Sequence, residues 1–308
     1  MDDLSIETSS EVKEGNKVGK AVVALESTVL THGLPRPQNL ELARDMERAV
    51  RENGATPATI AFLDGCLHVG LTDAELDRLA NEQDAVKVGP RDYATVMVNK
   101  ACGGTTVAGT MLACKHAGIK VFATGGIGGV HRDAPFDISA DLQALATIPM
   151  IVVCAGAKAI LDLPATLEYL ETMSVPVVGY GTDQFPAFYS RESGLDVSAK
   201  LETPQEIVDF AKAHWSTGQQ SAVLVANPVP SADAISRSEM EPYITQANQE
   251  AHNQGIHGKA LTPFLLQRIN ELTRGKSMRA NLSLLLNNAR LAAQIATVLR
   301  MTEKRRQI

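Results

Sequence analysis

The sequence has few of the residues that cross-link a small secreted protein. Its four cysteines show no C-x-x-C spacing and no paired arrangement: Cys66, Cys102, Cys114 and Cys154. They lie in apolar or Gly/Ala-rich surroundings, which favours buried free thiols in a reducing compartment over disulfides or a zinc site. The pattern argues against a disulfide-rich secreted domain.

Positive charge is also in deficit. The formal net charge is −6, which argues against a surface for polyanions, so nucleic acid is not an expected partner. Residues 1–16 are polar and rich in acidic side chains, unlike a secretory or mitochondrial signal. We find no apolar run long enough to span a bilayer, so no membrane partner is expected. These absences lead us to expect a cytoplasmic protein.

What the sequence does contain is enough apolar residue to build a large core. Of its 308 residues, 44% are hydrophobic and 21% are charged. Short apolar, β-branched runs alternate with helical patterns, which is typical of an α/β fold with a largely parallel sheet. The predicted strands are Ala21–Leu25, Thr59–Leu63, Lys120–Thr124, Met150–Cys154, Val175–Tyr180 and Ala222–Ala226.

Helical signals fall between these strands and fill the end of the chain. An apolar stripe predicts a helix over 38–53, and residues 240–301 are predicted to be helical throughout. Two capping boxes predict further helix starts: Thr72-x-x-Glu75 and Thr203-Pro204-x-Glu206.

We expect residues 1–17 to be a flexible amino-terminal segment and residues 18–308 to form one domain. The longest irregular stretch after the amino terminus, 184–197, is either a lid or a surface loop.

Ligands of an open parallel sheet bind beyond the carboxyl ends of its strands. That rule selects Glu26, Thr124, Lys158 and Asn227, which follow four different predicted strands. A carboxylate at the end of a buried strand loses solvation, which raises its pKa and suits Glu26 to general acid catalysis. A loop-capping role for Glu26 is an equal alternative. A desolvated lysine can form an imine with a carbonyl carbon, whereas a surface lysine at a helix start is the plainer interpretation of Lys158.

Two aspartates and a glycine cluster lie between Thr124 and Lys158 in the sequence. Asp137 and Asp141, with Ser139 as a helix N-cap, can bind Mg²⁺ or Mn²⁺ together if they face one volume, although acidic residues also favour helix starts for electrostatic reasons. The cluster Gly125 to Gly129 matches neither a dinucleotide fingerprint nor a P-loop, but its backbone N–H groups can face a substrate. A helix start after Gly103-Gly104 can bind phosphate.

These residues occur within a set of strings that resembles the pseudouridine-5′-phosphate glycosidase family, also called indigoidine synthase A-like. The likeness covers residues 20–300, and its strings occur in the family order: Ala24 to Thr28, His32 to Pro35, Gly104 to Ala108, Ala123 to His131, Phe136 to Leu142, Val153 to Lys158, Asn227-Pro228 and Thr262 to Leu266.

The resemblance implies an enzyme that reversibly cleaves the C–C glycosidic bond of a nucleoside monophosphate, in nucleotide catabolism. It implies a three-layer α/β/α core with a mostly parallel central sheet and a helical C-terminal third, assembled as a homotrimer. By likeness, Lys158 is the nucleophile that forms an imine with the ring-opened sugar, Glu26 is the proton donor, and Asp137 binds Mn²⁺. The implied substrate-binding positions are Lys87, Val107, Thr124, His131, Ser139, Ala140, Asp141 and Asn281.

Three alternatives remain open at this stage. A relative with the same lysine chemistry can act on another C-glycoside or heterocycle. A non-catalytic sugar-phosphate binding protein is a second alternative, although binding alone does not require Glu26, Asp137 and Lys158 together. A class I aldolase barrel also uses an imine-forming lysine, but six predicted strands and a long helical end make eight βα units hard to place.

Overall fold

A computed structural model describes residues 4–132 and 134–305 of the chain. The strands in these ranges are β1 Ile6–Thr8, β2 Val22–Leu25, β3 Thr56–Leu63, β4 Cys66–Val69, β5 Val86–Val88, β6 Gly103–Thr105, β7 Val121–Ala123, β8 Val130–His131, β9 Ala134–Ile138, β10 Ile151–Cys154, β11 Leu161–Asp162, β12 Val177–Tyr180, β13 Ala199–Leu201 and β14 Val223–Ala226. The helices are α1 Ser10–Lys17, α2 Gln38–Glu52, α3 Asp73–Asn81, α4 Tyr93–Val98, α5 Val107–Ala117, α6 Ala140–Thr147, α7 Leu163–Thr172, α8 Pro204–Ser216, α9 Arg237–Asn253, α10 Leu261–Leu272 and α11 Lys276–Arg305.

A mostly parallel sheet forms the centre of the fold. Its strand order is β1-β4-β3-β2-β7-β10-β14-β12-β13, and β6 pairs with both β3 and β5. Only the β3–β4 and β3–β6 pairings are antiparallel among the described strands of this sheet. Strands β2, β7, β10 and β14 are buried at nearly every position, because helices cover both faces. A small antiparallel sheet, β11-β8-β9, lies beside it.

The helices form two layers, as the connections require. Helix α11 packs along β2, β7 and β10 with α2 and α8 beside it, and α5 contacts α6, which contacts α7. Helix α2 connects β2 to β3, which lies toward the β1 end of the sheet. Helices α6 and α7 connect β7 to β10 and β10 to β12, toward the β13 end. Right-handed crossovers then place these helices on opposite faces. The predicted three-layer α/β/α fold is confirmed.

All six predicted strands are present, with ends that differ by up to three residues. The predicted helix over 38–53 is α2, and both capping boxes form, with the Thr72 and Thr203 side chains accepting from the N3 amides. The helical end of the chain is not continuous, since turns near 254–260 and 273–275 separate α9, α10 and α11.

The amino-terminal segment, which we expect to be flexible, contains one strand and one helix. Residues 6–8 form strand β1, which pairs in parallel with β4, and residues 10–17 form helix α1. Ser9 caps the helix through a bond from the Val12 amide, and Val12 is buried in the core. The polar composition of the segment gives little sign of its two buried positions, Val12 and Gly15.

The expectations about the cysteines and about apolar runs also need correction. Cys114 and Cys154 are buried free thiols as expected, but Cys66 and Cys102 are only partly buried. We expect no apolar run long enough to cross a membrane, but the stretch Lys276–Glu303 within α11 is long and apolar enough to do so by length and composition. Of its most apolar window, 56% is buried inside the protein. Its packing against the sheet explains its apolar character without a membrane.

Candidate active site

Four neighbouring strands deliver polar side chains to one edge of the sheet. Strands β2, β7, β10 and β14 are consecutive and parallel, so their carboxyl ends meet. Glu26, Thr124 and Asn227 directly follow β2, β7 and β14, and Lys158 lies four residues beyond β10. The residues selected by the strand-end rule therefore lie together in the structure.

Glu26 is bonded to the neighbouring strand end. Its Oε1 accepts a hydrogen bond from Thr124 Oγ1. Burial raises the pKa of the Glu26 carboxyl, and the Asp141 charge adds to that rise, while Lys158, the Thr124 hydroxyl and Lys87 oppose it. The net direction is upward, so Glu26 keeps its proton to a higher pH than an ordinary glutamate. This is the protonation state that a proton donor requires.

Lys158 is fixed at its backbone and partly exposed at its side chain. Its N–H donates to the Ile127 carbonyl at 3.1 Å, and its own carbonyl accepts from the Leu161 amide at 3.0 Å. The preceding small residues 155–157 are buried. Because the lysine charge influences the pKa values of both Glu26 and His131, its amine lies within electrostatic range of both side chains.

A hairpin of β8 and β9 brings His131 and Asp137 to the same region. Burial lowers the pKa of His131, Asp137 opposes that change, and Lys158 and Lys87 reinforce it. The imidazole is therefore neutral at neutral pH and can both donate and accept a hydrogen bond. The Asp137 side chain is exposed to solvent, whereas Lys87 on β5 is partly buried.

Asp141 holds backbone in place rather than facing the Asp137 side chain. Its Oδ1 accepts from the Ala108 amide at 2.9 Å and its Oδ2 from the Gly128 amide at 2.8 Å, and the residue is only 6% exposed. Both carboxylate oxygens thus tie the first turn of α5 to the glycine-rich loop. Asp141 lies in the first turn of α6, as the two-aspartate hypothesis required, but both of its oxygens serve N–H donors, which favours the helix-start alternative.

The other predicted substrate positions lie on helices α5, α6 and α11 or cap them. Ser139 caps α6, its Oγ accepting from the Asp141 amide at 3.2 Å, and Ala140 is the exposed first residue of that helix. Val107 is the buried first residue of α5. Asn281 lies on α11 and is 8% exposed.

The glycine cluster uses two of its backbone N–H groups inside the protein. The Ile127 amide donates to the Gly156 carbonyl at 3.1 Å, and the Gly128 amide donates to Asp141. A Cβ on Gly126 would lie 2.6 Å from Phe188 Cδ2. The expectation that this loop presents its N–H groups to a substrate is wrong for Ile127 and Gly128, because those N–H groups are already used.

In the irregular stretch 184–197, residues 185–190 form a buried segment rather than a lid or a surface loop, whereas Arg191, Glu192, Gly194 and Asp196 are exposed. Phe185, Phe188 and Tyr189 are buried, and the Phe188 amide donates to the Ala155 carbonyl at 3.0 Å. The segment therefore forms part of the core beside the Lys158 loop.

One further polar residue, not among the predicted site residues, lies beneath this edge. Asn288 on α11 is fully buried, and its Nδ2 donates to the Thr124 carbonyl at 2.8 Å. Its Oδ1 accepts from Asn227 Nδ2 at 2.9 Å. The amide thus ties α11 to the ends of β7 and β14. The available signal was a polar residue inside the apolar stripe of a predicted helix.

Comparison with known proteins identifies the family of this chain. The family described as Indigoidine synthase A like protein matches residues 11–298. The chain belongs to this family. It is 52% identical over 296 residues to the pseudouridine-5′-phosphate glycosidase of Caldanaerobacter subterraneus subsp. tengcongensis, covering 96% of each chain. It is 53% identical over 300 residues to that of Paracoccus denitrificans, covering 96% of this chain and 97% of the relative. The family resemblance, and its implication of an enzyme, are confirmed.

Two solved structures of similar proteins share the fold of this indigoidine synthase A-like chain. An indigoidine synthase A-like protein from Thermotoga maritima superimposes with a TM-score of 0.89 at 36% identity, covering 97% of this chain and 98% of that one. Prealnumycin C-glycosynthase in complex with ribulose 5-phosphate gives 0.90 at 38% identity, covering 99% and 100%. Relatives of this chain therefore include proteins named for C-glycosides, and one of them holds a sugar phosphate.

Proposed function

We propose that this chain reversibly cleaves the C–C glycosidic bond of pseudouridine 5′-phosphate with water, giving uracil and ribose 5-phosphate. One observation carries the proposal: the Lys158 amine and the Glu26 carboxyl, whose pKa is raised, interact at one edge of the sheet. The substrate is taken from the names of relatives that are 52% and 53% identical over nearly the whole chain.

The chemistry of the bond explains why a lysine is needed. A C–C nucleoside bond has no heteroatom leaving group, so hydrolysis with two carboxylates is poorly suited to it. Glu26 protonates O4′ as the C1′–O4′ bond of the sugar ring breaks and Lys158 Nζ bonds to C1′, and the proton lost by the nitrogen returns to Glu26. The nitrogen pair then forms a C=N bond as the bond to uracil breaks. The released electron pair goes to the uracil carbon, which Glu26 protonates. Water then hydrolyses the imine, which releases ribose 5-phosphate and restores Lys158.

The remaining positions are proposed to hold the substrate. Thr124 orients Glu26 through their hydrogen bond. His131 and Lys87 lie within electrostatic range of each other and supply a neutral ring and a cation near the reacting amine. The other proposed contacts are Val107, Ser139, Ala140, Asp141 and Asn281. For Asp141 we propose an indirect role, in which it fixes the Gly128 loop and the start of α5.

We propose Mn²⁺ as the cofactor, held by Asp137. Its solvent-exposed carboxylate fits a hard cation that keeps most of its waters, because such ions are often bound through one or two protein oxygens. When bound, the ion supplies positive charge that stabilises developing negative charge or orders water. The site is proposed on Asp137 alone, since Asp141 is occupied by backbone donors.

We further propose a cytoplasmic homotrimer, by likeness to the family. Size-exclusion chromatography with light scattering measures the assembly. A mass near three times the 32.9 kDa of one chain is expected, and a monomer or dimer would contradict the trimer.

Uracil release from pseudouridine 5′-phosphate tests the substrate. We expect release with added Mn²⁺, and strong loss after chelation or in Asp137→Asn. Uridine 5′-phosphate, which has a C–N bond to the same base, is the matched control and is expected to stay intact. A folded, metal-supplied protein that releases no uracil would refute the assignment.

A second candidate is the formation or cleavage of another C-glycoside. It is favoured by the structural likeness to prealnumycin C-glycosynthase at 38% identity. The higher identity of the glycosidase relatives places it second. Activity on a different aromatic C-glycoside phosphate, without activity on pseudouridine 5′-phosphate, would favour it.

A further inference from the structure

Strands β1 and β4 bring three different metal-ligand side chains to one face of the sheet. Glu7 pairs with His68 in parallel register, and Cys66 lies two residues before His68 on the same face. A carboxylate oxygen of Glu7, the Cys66 sulfur and a ring nitrogen of His68 all lie within 4.8 Å of one another. The alternate residues Leu67 and Val69 are buried, so this register is fixed.

We propose that Glu7, Cys66 and His68 bind a Zn²⁺ ion. A thiolate, an imidazole and a carboxylate are the donors that zinc accepts, whereas Mg²⁺, Ca²⁺ and Mn²⁺ prefer oxygen. Zinc bonds of about 2.0–2.3 Å need ligand atoms about 3.3–3.8 Å apart in a tetrahedron. The Glu7 side chain is 67% exposed and can rotate to close the remaining gap.

The present contacts of these side chains are weak enough for a metal to replace. The Glu7 carboxylate is 3.8 Å from His68 Nε2. The Cys66 sulfur is 3.5 Å from both the hydroxyl and the carbonyl of Ser5. None of these distances describes a strong bond that binding would have to break.

A second carboxylate orients the histidine, independently of the three ligands. His68 Nδ1 lies 3.4 Å from Glu75 Oε1. Glu75 is itself held in the capping box of α3, where its Oε2 accepts from the Thr72 amide at 2.7 Å. His68 thus turns Nδ1 toward a fixed carboxylate and Nε2 toward Glu7, which is the arrangement found behind metal-binding histidines.

The ion would join the amino-terminal strand to the sheet. Strand β1 is a three-residue edge strand paired with β4, and a shared ion adds bonds between the two that do not exist in the unfolded chain. With three protein ligands near the surface, water takes the fourth position. The site is separate from the Mn²⁺ proposed at Asp137, and its donors differ in kind.

Metal titration of the full-length, reduced and chelator-treated protein tests this proposal. We expect one Zn²⁺ per chain by dialysis and elemental analysis, and a thiolate-to-metal charge-transfer band when Co²⁺ replaces zinc. Cys66→Ser should abolish the band. Cys102→Ser is the matched control, since Cys102 is also partly buried but contacts Arg78 and Asp64 instead.

Two further variants make the result specific. Asp137→Asn should leave the zinc stoichiometry unchanged. Glu75→Gln keeps a capping residue but removes the carboxylate beside His68, so we expect about 10- to 100-fold weaker binding. Circular dichroism checks that each variant is folded. Substoichiometric zinc on wild type, or a Co²⁺ band that persists in Cys66→Ser, would overturn the site.

Discussion

Asp141 offers the sharpest test of how this fold builds its active site. Its two carboxylate oxygens accept from the amides of Ala108 and Gly128 at 2.9 and 2.8 Å, inside the protein. In Asp141→Asn one oxygen becomes an NH₂ group, which faces an N–H donor and leaves it unpaired. A hydrogen bond to a charged group contributes about 1.5–3 kcal/mol, and an unpaired buried donor costs about 1–3 kcal/mol. Since these terms overlap, we expect about 2–4 kcal/mol of lost stability.

Urea unfolding with linear extrapolation measures this loss. Asp137→Asn is the matched control, because its exposed carboxylate should change stability by less than about 0.5 kcal/mol. A purely substrate-binding Asp141 would behave differently, since its replacement would raise KM and leave unfolding unchanged. Wild-type stability in Asp141→Asn would refute the positioning role.

Three other changes probe the same edge of the sheet. Burial raises the pKa of the Glu26 carboxyl. The stability that Glu26 contributes is therefore fully present below the ordinary glutamate pKa and is lost as the pH rises through the raised pKa, so Glu26→Gln should become more stable relative to wild type as the pH rises. Urea midpoints of the two proteins that stay parallel across pH would contradict this. Asn288→Leu leaves the Thr124 carbonyl and the Asn227 side-chain amide without their partner. We expect about 2–5 kcal/mol of destabilisation in urea and a fall in kcat greater than any change in KM. Unchanged stability and kcat would contradict a role for this hydrogen-bond network. Gly126→Ala forces a Cβ to 2.6 Å from Phe188. We therefore expect the free energy of unfolding to fall by about 1–3 kcal/mol, measured by thermal unfolding. An unchanged Tm would show that the Phe188 ring moves aside freely.

The central strands could be predicted because burial on both faces leaves a continuous apolar run. That is why β2, β7, β10 and β14 were identified. Most of the missed strands are short and lie at sheet edges or in the small sheet, where the sequence has no such run. Strand β1 was missed because its partner β4 lies about 60 residues away, a tertiary contact that local pattern does not encode.

The candidate active site is predictable where topology alone decides position. Glu26, Thr124 and Lys158 meet because parallel strands end at one edge. The roles of Asp141 and Asn288 depend instead on which backbone groups they reach through tertiary packing. No spacing rule predicts that both oxygens of a carboxylate will accept hydrogen bonds from backbone amides. The same limit explains why the glycine cluster alone does not reveal that the Ile127 and Gly128 amides donate within the protein.

Trapping the imine on Lys158 tests the central claim most directly. The protein is incubated with ribose 5-phosphate and uracil, or with pseudouridine 5′-phosphate, then reduced with borohydride and analysed by peptide mass spectrometry. We predict a reduced sugar-phosphate adduct on the peptide containing Lys158, lost together with uracil release in Lys158→Ala and retained in Lys115→Ala, whose lysine is exposed near the end of α5. Uracil release that persists in Lys158→Ala, or an adduct on another residue, would contradict the account.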